Sequence, residues 1–598
     1  MRQSSLPHTV RAVDLALALC LGLAVLVGLL LDVHPAQAQA PRKAVILSIN
    51  DVYRIEGVNN GRSGSMARVR ALRTELEETA PDLIFLHAGD FLSPSFLGRT
   101  YAGAHMIDVM NVMDGNPSSG SFDNRMFVAF GNHEFDDTNC SKQGPLPRLV
   151  AASEFTWLAS NLEFSRCNSL LPLVVAPNIA ATSIVESGGL KIGLLGVTLA
   201  HPEYAAVVLD PVAIACQKIE DLRASAVDVV VALTHLPWQT DLTLLGIGDD
   251  LQEMPPNQRP CKSPPDLIIG GHDHKSLALP SAAPRLFKAD ADAVSAWVVE
   301  IEKDGDALRI NGRLVQLDPD RTPDPLVERI TSDWLRRHDE RFCIADCLGL
   351  ARDKTKACLK AAEDGACLKQ SYTRAASEIE TEEITNKSYE TGFGNWLADH
   401  VRSAGSVDVA FINAGAIRMN QSLPAGTVLT RRHLEQMFPY KGKLIVRQVP
   451  GGSLWRAMER AVAARGEGPW AHFSGMAVRI GEAGSPQKIA RLRVQRHDGT
   501  VIEIGPDTPD MVSVASFAFV FANGDGHGFD LCASETVLAK CIEQLEAAPA
   551  WPLAGEGADI ASLVRMKLAE VDPARGLELF VDRRLCDRGQ TDCLIDRW

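Results

Sequence analysis

Short apolar runs that end on polar clusters recur through the first half of the chain. Runs at 44–49, 83–86, 126–130, 191–197, 227–233 and 267–269 predict buried strands. Between the first two, Met66, Val69, Leu72 and Leu76 recur on one face of a predicted helix. Strands alternating with helices predict an α/β domain, and open α/β sheets place their sites at the carboxyl ends of strands. Five of the six runs lead into a chemically loaded tip: Asn50-Asp51-Val52-Tyr53, His87-Ala88-Gly89-Asp90, Gly131-Asn132-His133-Glu134-Phe135-Asp136, Thr234-His235 and Gly270-Gly271-His272-Asp273-His274. The run 191–197 leads into no obvious ligand.

From 319 to 376 polarity rises and strands vanish. Arg, Lys, Asp and four clustered cysteines dominate there, which predicts a helical linker or insertion. A second alternating region follows. It holds a helix entry at Thr391–Leu397, a strand at 407–412 running into Asn413-Ala414-Gly415-Ala416-Ile417-Arg418, a strand at 443–449, a helix at 454–463 and an aromatic stretch, Phe517–Gly528. The expected division is therefore 43–318, a linker at 319–376, and a second domain at 377–598.

Composition narrows the class. With 598 residues and 46% apolar residues the chain can bury large cores, and its net charge of −15 argues against electrostatic docking to a nucleic-acid polymer or an anionic membrane. Arg2 and Arg11 precede an apolar stretch, 15–31, and small residues at 36–40, which predicts a signal peptide over 1–38 cleaved after Ala38. An uncleaved anchor is the alternative, and only it would give stable membrane contact. The expected location is periplasmic or extracellular. Of thirteen cysteines, setting Cys20 aside leaves an even twelve. Cys140 with Cys167, Cys216 with Cys261, Cys532 with Cys541 and Cys586 with Cys593 are close enough in sequence for local disulfides. Cys343, Cys347, Cys358 and Cys367 could staple a helical hairpin or hold zinc, and export favours disulfides.

The five tips supply carboxylate, amide and imidazole groups suited to two divalent ions, with Asp90 the natural bridge across the spacing of about 3.5–4 Å used by two-metal hydrolases. Their order resembles the calcineurin-like metallophosphoesterases, and Gly131–Asp136 resembles the branch that holds the 5′-nucleotidases and UDP-sugar hydrolases. The resemblance implies an α/β protein with an N-terminal calcineurin-like metallophosphoesterase β-sandwich flanked by helices, a helical linker and a C-terminal α+β substrate-binding domain. It implies one ion held by Asp51, Asp90 and His274 and another by Asp90, Asn132, His235 and His272, with identity (Mn, Zn, Co, Mg or Fe) left open. His133 paired with Asp136 would stabilise charge on the phosphate or leaving oxygen.

The family's first motif is Asp-x-His, and here it is Asp51-Val52-Tyr53. Tyr53 could ligate as phenolate, yield its place to water, leave a weak seat, or pack beside the site. In the second half, Asn413–Arg418 resembles the family's Asn-Gly-Gly-Gly-Ile-Arg loop, with Arg418 a candidate substrate contact. Tyr440 occupies the first base-stacking position, Phe521 or Phe519 the second, and Asp525 the place of a ribose or base contact. The implied activity is removal of the 5′-phosphate from small nucleotides. The alternatives are a diester or pyrophosphate substrate, such as a cyclic nucleotide or nucleotide sugar, or a nucleotide binder that has lost turnover through Tyr53.

Overall fold

The computed structural model describes residues 42–598 except 118–120, 137, 139, 200–206, 281–284, 349–357, 360–361, 363–364, 441, 482–488, 530, 533–537 and 548–558; the expected leader over 1–38 lies outside the described residues. The first half holds β1 (Arg42–Ile49), β2 (Ile84–His87), β3 (Asp123–Ala129), β4 (Phe155–Leu158), β5 (Ile179–Ala180), β6 (Thr182–Ser187), β7 (Leu190–Thr198), β8 (Val229–His235), β9 (Leu267–Gly270), β10 (Leu277–Ala278), β11 (Leu286–Lys288), β12 (Ser295–Asp304) and β13 (Ala307–Gln316), of which β1, β2, β3, β7, β8 and β9 are the six apolar runs. They form a seven-stranded sheet, β13-β12-β1-β2-β3-β4-β5, and a six-stranded sheet, β10-β11-β9-β8-β7-β6. Ile46, Leu86 and Ala129 from one sheet meet Leu194, Val231 and Ile269 from the other in a fully enclosed core.

Each sheet buries its other face under helices. Met66–Glu77 sets Met66, Val69 and Leu72 against the larger sheet, as their spacing predicts. Pro211–Ala224 covers the smaller one with Ala215, Ile219 and Leu222. Its start is fixed by Asp210, whose side chain accepts the Ala213 N–H at 2.7 Å, and by Pro211 in the first turn. The result is the expected sandwich with helices outside. β1 to β4 run parallel, as do β7 to β9, so their carboxyl ends gather at the same ends of the two sheets.

The linker is a 24-residue helix, Pro325–Leu348, whose first N–H groups, those of Leu326 and Val327, are capped by Asp324. Nested disulfides, Cys343–Cys367 and Cys347–Cys358, staple its far end, so those four cysteines are paired with one another rather than free for zinc. A strand, β14 (Ser371–Arg374), falls inside the stretch read as strandless and pairs with β16 (Val428–Thr430). Four residues with mixed exposure are too short a segment to show a period of two.

The second half has its own core. Beyond β15 (Val409–Asn413) and β16 it contains β17 (Leu444–Pro450), β18 (Ala471–Ser474), β19 (Met476–Ile480), β20 (Ile489–Gln495), β21 (Val501–Ile504), β22 (Met511–Phe517) and β23 (Leu585–Cys586). Their sheets run β17-β22-β15-β18 and β21-β20-β19-β23. Thr391 caps the helix Gly392–Gly405 by accepting the Gly394 N–H.

Candidate active site

The chain leaves β1 and the tips that follow β2 and β9 in an unusual backbone conformation. Asp51, Asp90, His272 and His274 have φ of 53°, 59°, 81° and 59°, the left-handed region that costs non-glycine residues energy and clusters at functional sites. Hydrogen bonds hold them there. The Glu134 carboxylate, almost fully buried, accepts the backbone N–H groups of Asp90, Phe91, Leu92 and Gly131. Asp51 Oδ2 accepts the His272 N–H at 2.9 Å and Asn50 Nδ2 at 2.7 Å. Gly131 is obligatory: a Cβ there would fall 2.1 Å from Asp90 Oδ1.

These turns bring the expected ligands together. Asp51, Asp90 and His274 offer donor atoms all within 4.8 Å of one another. His274 Nε2 lies 3.2 Å from Asp51 Oδ1. His235 Nε2 lies 3.2 Å from Asp90 Oδ2 and 3.9 Å from Asp51 Oδ1, while its Nδ1 contacts the Ala88 carbonyl at 2.7 Å, which turns Nε2 towards the carboxylates. The His272 ring meets that of His235 edge-on at 5.3 Å. Asn132 precedes His133, whose N–H donates to Asp90 Oδ1 at 2.8 Å.

Asp51 Oδ1, Asn132 Oδ1 and His235 Nε2 are buried and form no hydrogen bond of good geometry, the first and last having ion-pair contacts with His274 and Asp90. Buried polar atoms are nearly always paired, so three such atoms in one cluster call for a ligand. Burial opposes charge on His235, but Asp90 and Asp51 hold its imidazole up at about 9. His274 is likewise opposed by burial and held up at about 10 by Glu383 and Asp51. The pocket thus draws positive charge inward. Its carboxylate, amide and imidazole donors suit divalent cations.

Around the cluster, the Tyr53 hydroxyl faces inward, 3.2 Å from Asp90 Oδ2 and 3.0 Å from His274 Nε2. Burial, with Asp90 and Asp51 nearby, pushes its phenol well above the usual range. His133 Nδ1 pairs with Asp136 at 2.9 Å, and Ser93 Oγ donates to Asp136 Oδ2 at 2.9 Å. Burial works against a charged His133, but Asp136 and Asp90 raise its pKa above the ordinary value.

The second half brings Arg418 to the same place. Its guanidinium donates to Gly415 O and to Glu383 Oε1 and lies 5.7 Å from the centre of the Tyr440 ring. Tyr440 is 38% exposed. Asn413 Nδ2 donates to Asp525 Oδ2 at 2.8 Å. Phe521 does not fit its expected part: it is fully buried and packs on Phe529 at 5.3 Å, leaving no open face for a base. The helical turn Ala518–Phe521 aims residue 521 into the core, whereas Phe519 stays half-buried with its ring against Gly524.

Several supporting groups carry no signal in the sequence pattern. Glu134 sits inside the central motif, but three of its four N–H acceptances depend on a distant loop. Lys288, buried at the end of β11, donates to Leu236 O and Gly271 O and pairs with Asp241 and Asp273, tying the His235 loop to the His272–His274 loop. Asp292 accepts the N–H groups of Tyr53 and Arg54 and, across the domains, Asn420 Nδ2. Glu383 contacts His274 Nδ1 at 2.7 Å.

Comparison with known proteins agrees with this geometry. The family model for calcineurin-like phosphoesterases matches residues 32–276, and that for the 5′-nucleotidase C-terminal domain matches 372–531. The chain is similar to the 5′-nucleotidase of Mus musculus, with 20% identity over 541 residues, 82% of this chain and 84% of the relative. In fold it is similar to the 5′-nucleotidase precursor of Thermus thermophilus, with TM-score 0.67, 19% identity, and coverage of 92% of this chain and all of that one. It is also similar to the sulfate thiohydrolase SoxB of the same genus, with TM-score 0.60, 13% identity, and coverage of 92% and 98%. Two matched domains in this order, over a strand-end cluster of cation-type donors, mark the chain as a metal-dependent phosphoester hydrolase that joins a calcineurin-like phosphoesterase domain to a 5′-nucleotidase C-terminal domain.

Proposed function

We propose that the protein is an exported hydrolase that uses two divalent cations to remove the 5′-phosphate from small nucleotides. The observation that carries this reading is the trio of buried donors on Asp51, Asn132 and His235, none with a well-formed hydrogen bond, around the Asp90 carboxylate. Asp51, Asp90 and His274 would form one seat; Asp90, Asn132, His235 and His272 the other. Tyr53, its hydroxyl against Asp90 and His274, stands where the family has an imidazole and enters as a neutral hydrogen-bonding neighbour. Cations bound in these seats would neutralise phosphate charge and supply a water of lowered pKa.

The protein's own groups do the rest. His133, oriented through Nδ1 by Asp136, presents Nε2 to hold a hydrogen bond or proton at the phosphate or leaving oxygen. Asp136 is itself fixed by Ser93. Tyr440 and Phe519 offer ring faces for a base, a contact worth about 1–3 kcal/mol that does not discriminate among bases. Arg418 links Tyr440 to the cation seats through Glu383, and Asn413 and Asp525 form a hydrogen-bonded pair in the same half. Export is supported by the leader pattern and by six disulfides that use all twelve cysteines after Cys20. No helix among the described residues is long and apolar enough to cross a membrane.

The test is phosphate release by metal-stripped protein resupplied with Mn, Zn, Co, Mg or Fe, across nucleoside monophosphates, cyclic nucleotides and UDP-sugars. Metal-dependent release from 5′-monophosphates is expected. Turnover confined to cyclic nucleotides or UDP-sugars would replace this reading with a phosphodiesterase or pyrophosphatase.

A further inference from the structure

Glu383 begins the short helix Glu383–Ser388 in the second half of the molecule, yet its carboxylate reaches the strand-end cluster of the first. It is 2% exposed. One oxygen, Oε2, contacts His274 Nδ1 at 2.7 Å; the other, Oε1, accepts from Arg418 at 3.1 Å and pairs with Lys387. The opposite nitrogen of the same imidazole, Nε2, faces Asp51 at 3.2 Å. An imidazole gripped at Nδ1 by a carboxylate keeps its proton there and leaves Nε2 free as a donor pair, the arrangement that orients histidine ligands towards cations. His235 gets the equivalent contact from Ala88 O, within its own domain. For His274 the contact comes from the other half of the molecule.

We propose that Glu383 is a positioning residue that orients His274 for a cation, so that the seat of Asp51, Asp90 and His274 is complete only when the two halves are together. The same carboxylate receives Arg418, which faces the substrate side, so one buried anion links the cation seat to the substrate-binding half. Other contacts join the halves at this edge, including Asn420 to Asp292, Arg54 to Arg418 O, and Arg99 to Glu435. Of these, only Glu383 grips an imidazole of the cluster. Glu383 therefore reports to the seat whether the second half is docked.

The inference rests on the reading of His274 as a ligand, and the experiment separates the two. Full-length, metal-stripped protein is titrated with Mn²⁺, the free ion being followed by electron paramagnetic resonance, for native protein, H274A, E383A and E383Q, with folding checked by thermal melting. H274A should lose tight binding of one equivalent. E383A should weaken that same equivalent by about 10–100-fold and leave the other unchanged. E383Q, which keeps size and a neutral acceptor, should weaken it less, and it decides the matter if E383A does not fold. Native affinities in E383Q and every folded E383A sample, with H274A losing one equivalent, would overturn the role of Glu383. An equal fall at both equivalents in E383Q would overturn it too, as general damage. Native binding of both equivalents by H274A would instead remove the ligand assignment and the inference with it.

Discussion

Asp51 and Asp90 are almost wholly buried, sit in left-handed backbone, and are fixed by hydrogen bonds from several loops, with Glu134 alone accepting four N–H groups. Tyr440, on the facing wall of the second half, is 38% exposed, and its ring contact is a guanidinium held in turn by Gly415 O and Glu383. The first cluster is over-determined, as a site must be when donor atoms have to meet one point in space. The second is more open, and on the proposed function it would receive a flat ring at little structural cost. On the proposed function, chemistry and recognition are divided between the domains, and substitutions should sort the same way: rate losses from the first cluster, affinity losses from the second.

The largest effect expected is from Asp90→Asn. Asp90 touches both proposed seats, so metal-dependent phosphate release should vanish while the circular dichroism spectrum stays native. His133→Ala should come next, lowering kcat by about 10²–10⁴-fold with KM little changed, as for loss of a positioned acid or base. An unchanged kcat would remove His133 from the reaction. Lys288→Met attacks the scaffold beneath the first cluster. It leaves Asp241 and Asp273 without their buried ammonium, and urea unfolding should show a loss of about 3–5 kcal/mol.

A smaller effect, in the second half, comes from His472. It is buried with Nε2 against Asn386 Oδ1 at 2.8 Å, and burial lowers its pKa from 6.5 to about 4. Above pH 6.5 folded and unfolded states are both neutral and His472 contributes nothing to the pH dependence. As pH falls from 6.5 to about 4, the unfolded chain binds a proton that the folded one refuses, and stability should decline by up to about 3 kcal/mol. Unfolding titrations over that range should show a shallower slope in His472→Gln.

The same contrast governs what could be read from the sequence. The metal-type residues are legible because each follows an apolar strand and a parallel sheet has one carboxyl end; Asp51, Asp90, Asn132, His235, His272 and His274 need only the strand pattern to be gathered. Lys288, Asp292 and Glu383 are not legible in that way. Their contacts with Asp273, Tyr53 and His274 span 15 to 239 residues of sequence, and they sit in no periodic pattern. Phe521 and Phe519 show a third limit. In the apolar run Phe517–Ala522 every position is a candidate for the core, and only the helical turn decides that 521 turns inward and 519 outward. The departure at Tyr53 is legible as a departure, but the inward direction of its hydroxyl, between Asp90 and His274, belongs to the fold.

The division between domains is tested most directly by comparing one change on two substrates. Tyr440→Ala and Phe519→Ala would each be assayed, with the preferred metal, on a nucleoside 5′-monophosphate and on glycerol phosphate, an ester without a base. Loss of a stacking face worth about 1–3 kcal/mol should raise KM for the nucleotide by about 5–150-fold and leave kcat/KM for glycerol phosphate unchanged. An equal fall on both substrates, or no change on the nucleotide, would contradict a recognition surface separate from the catalytic cluster.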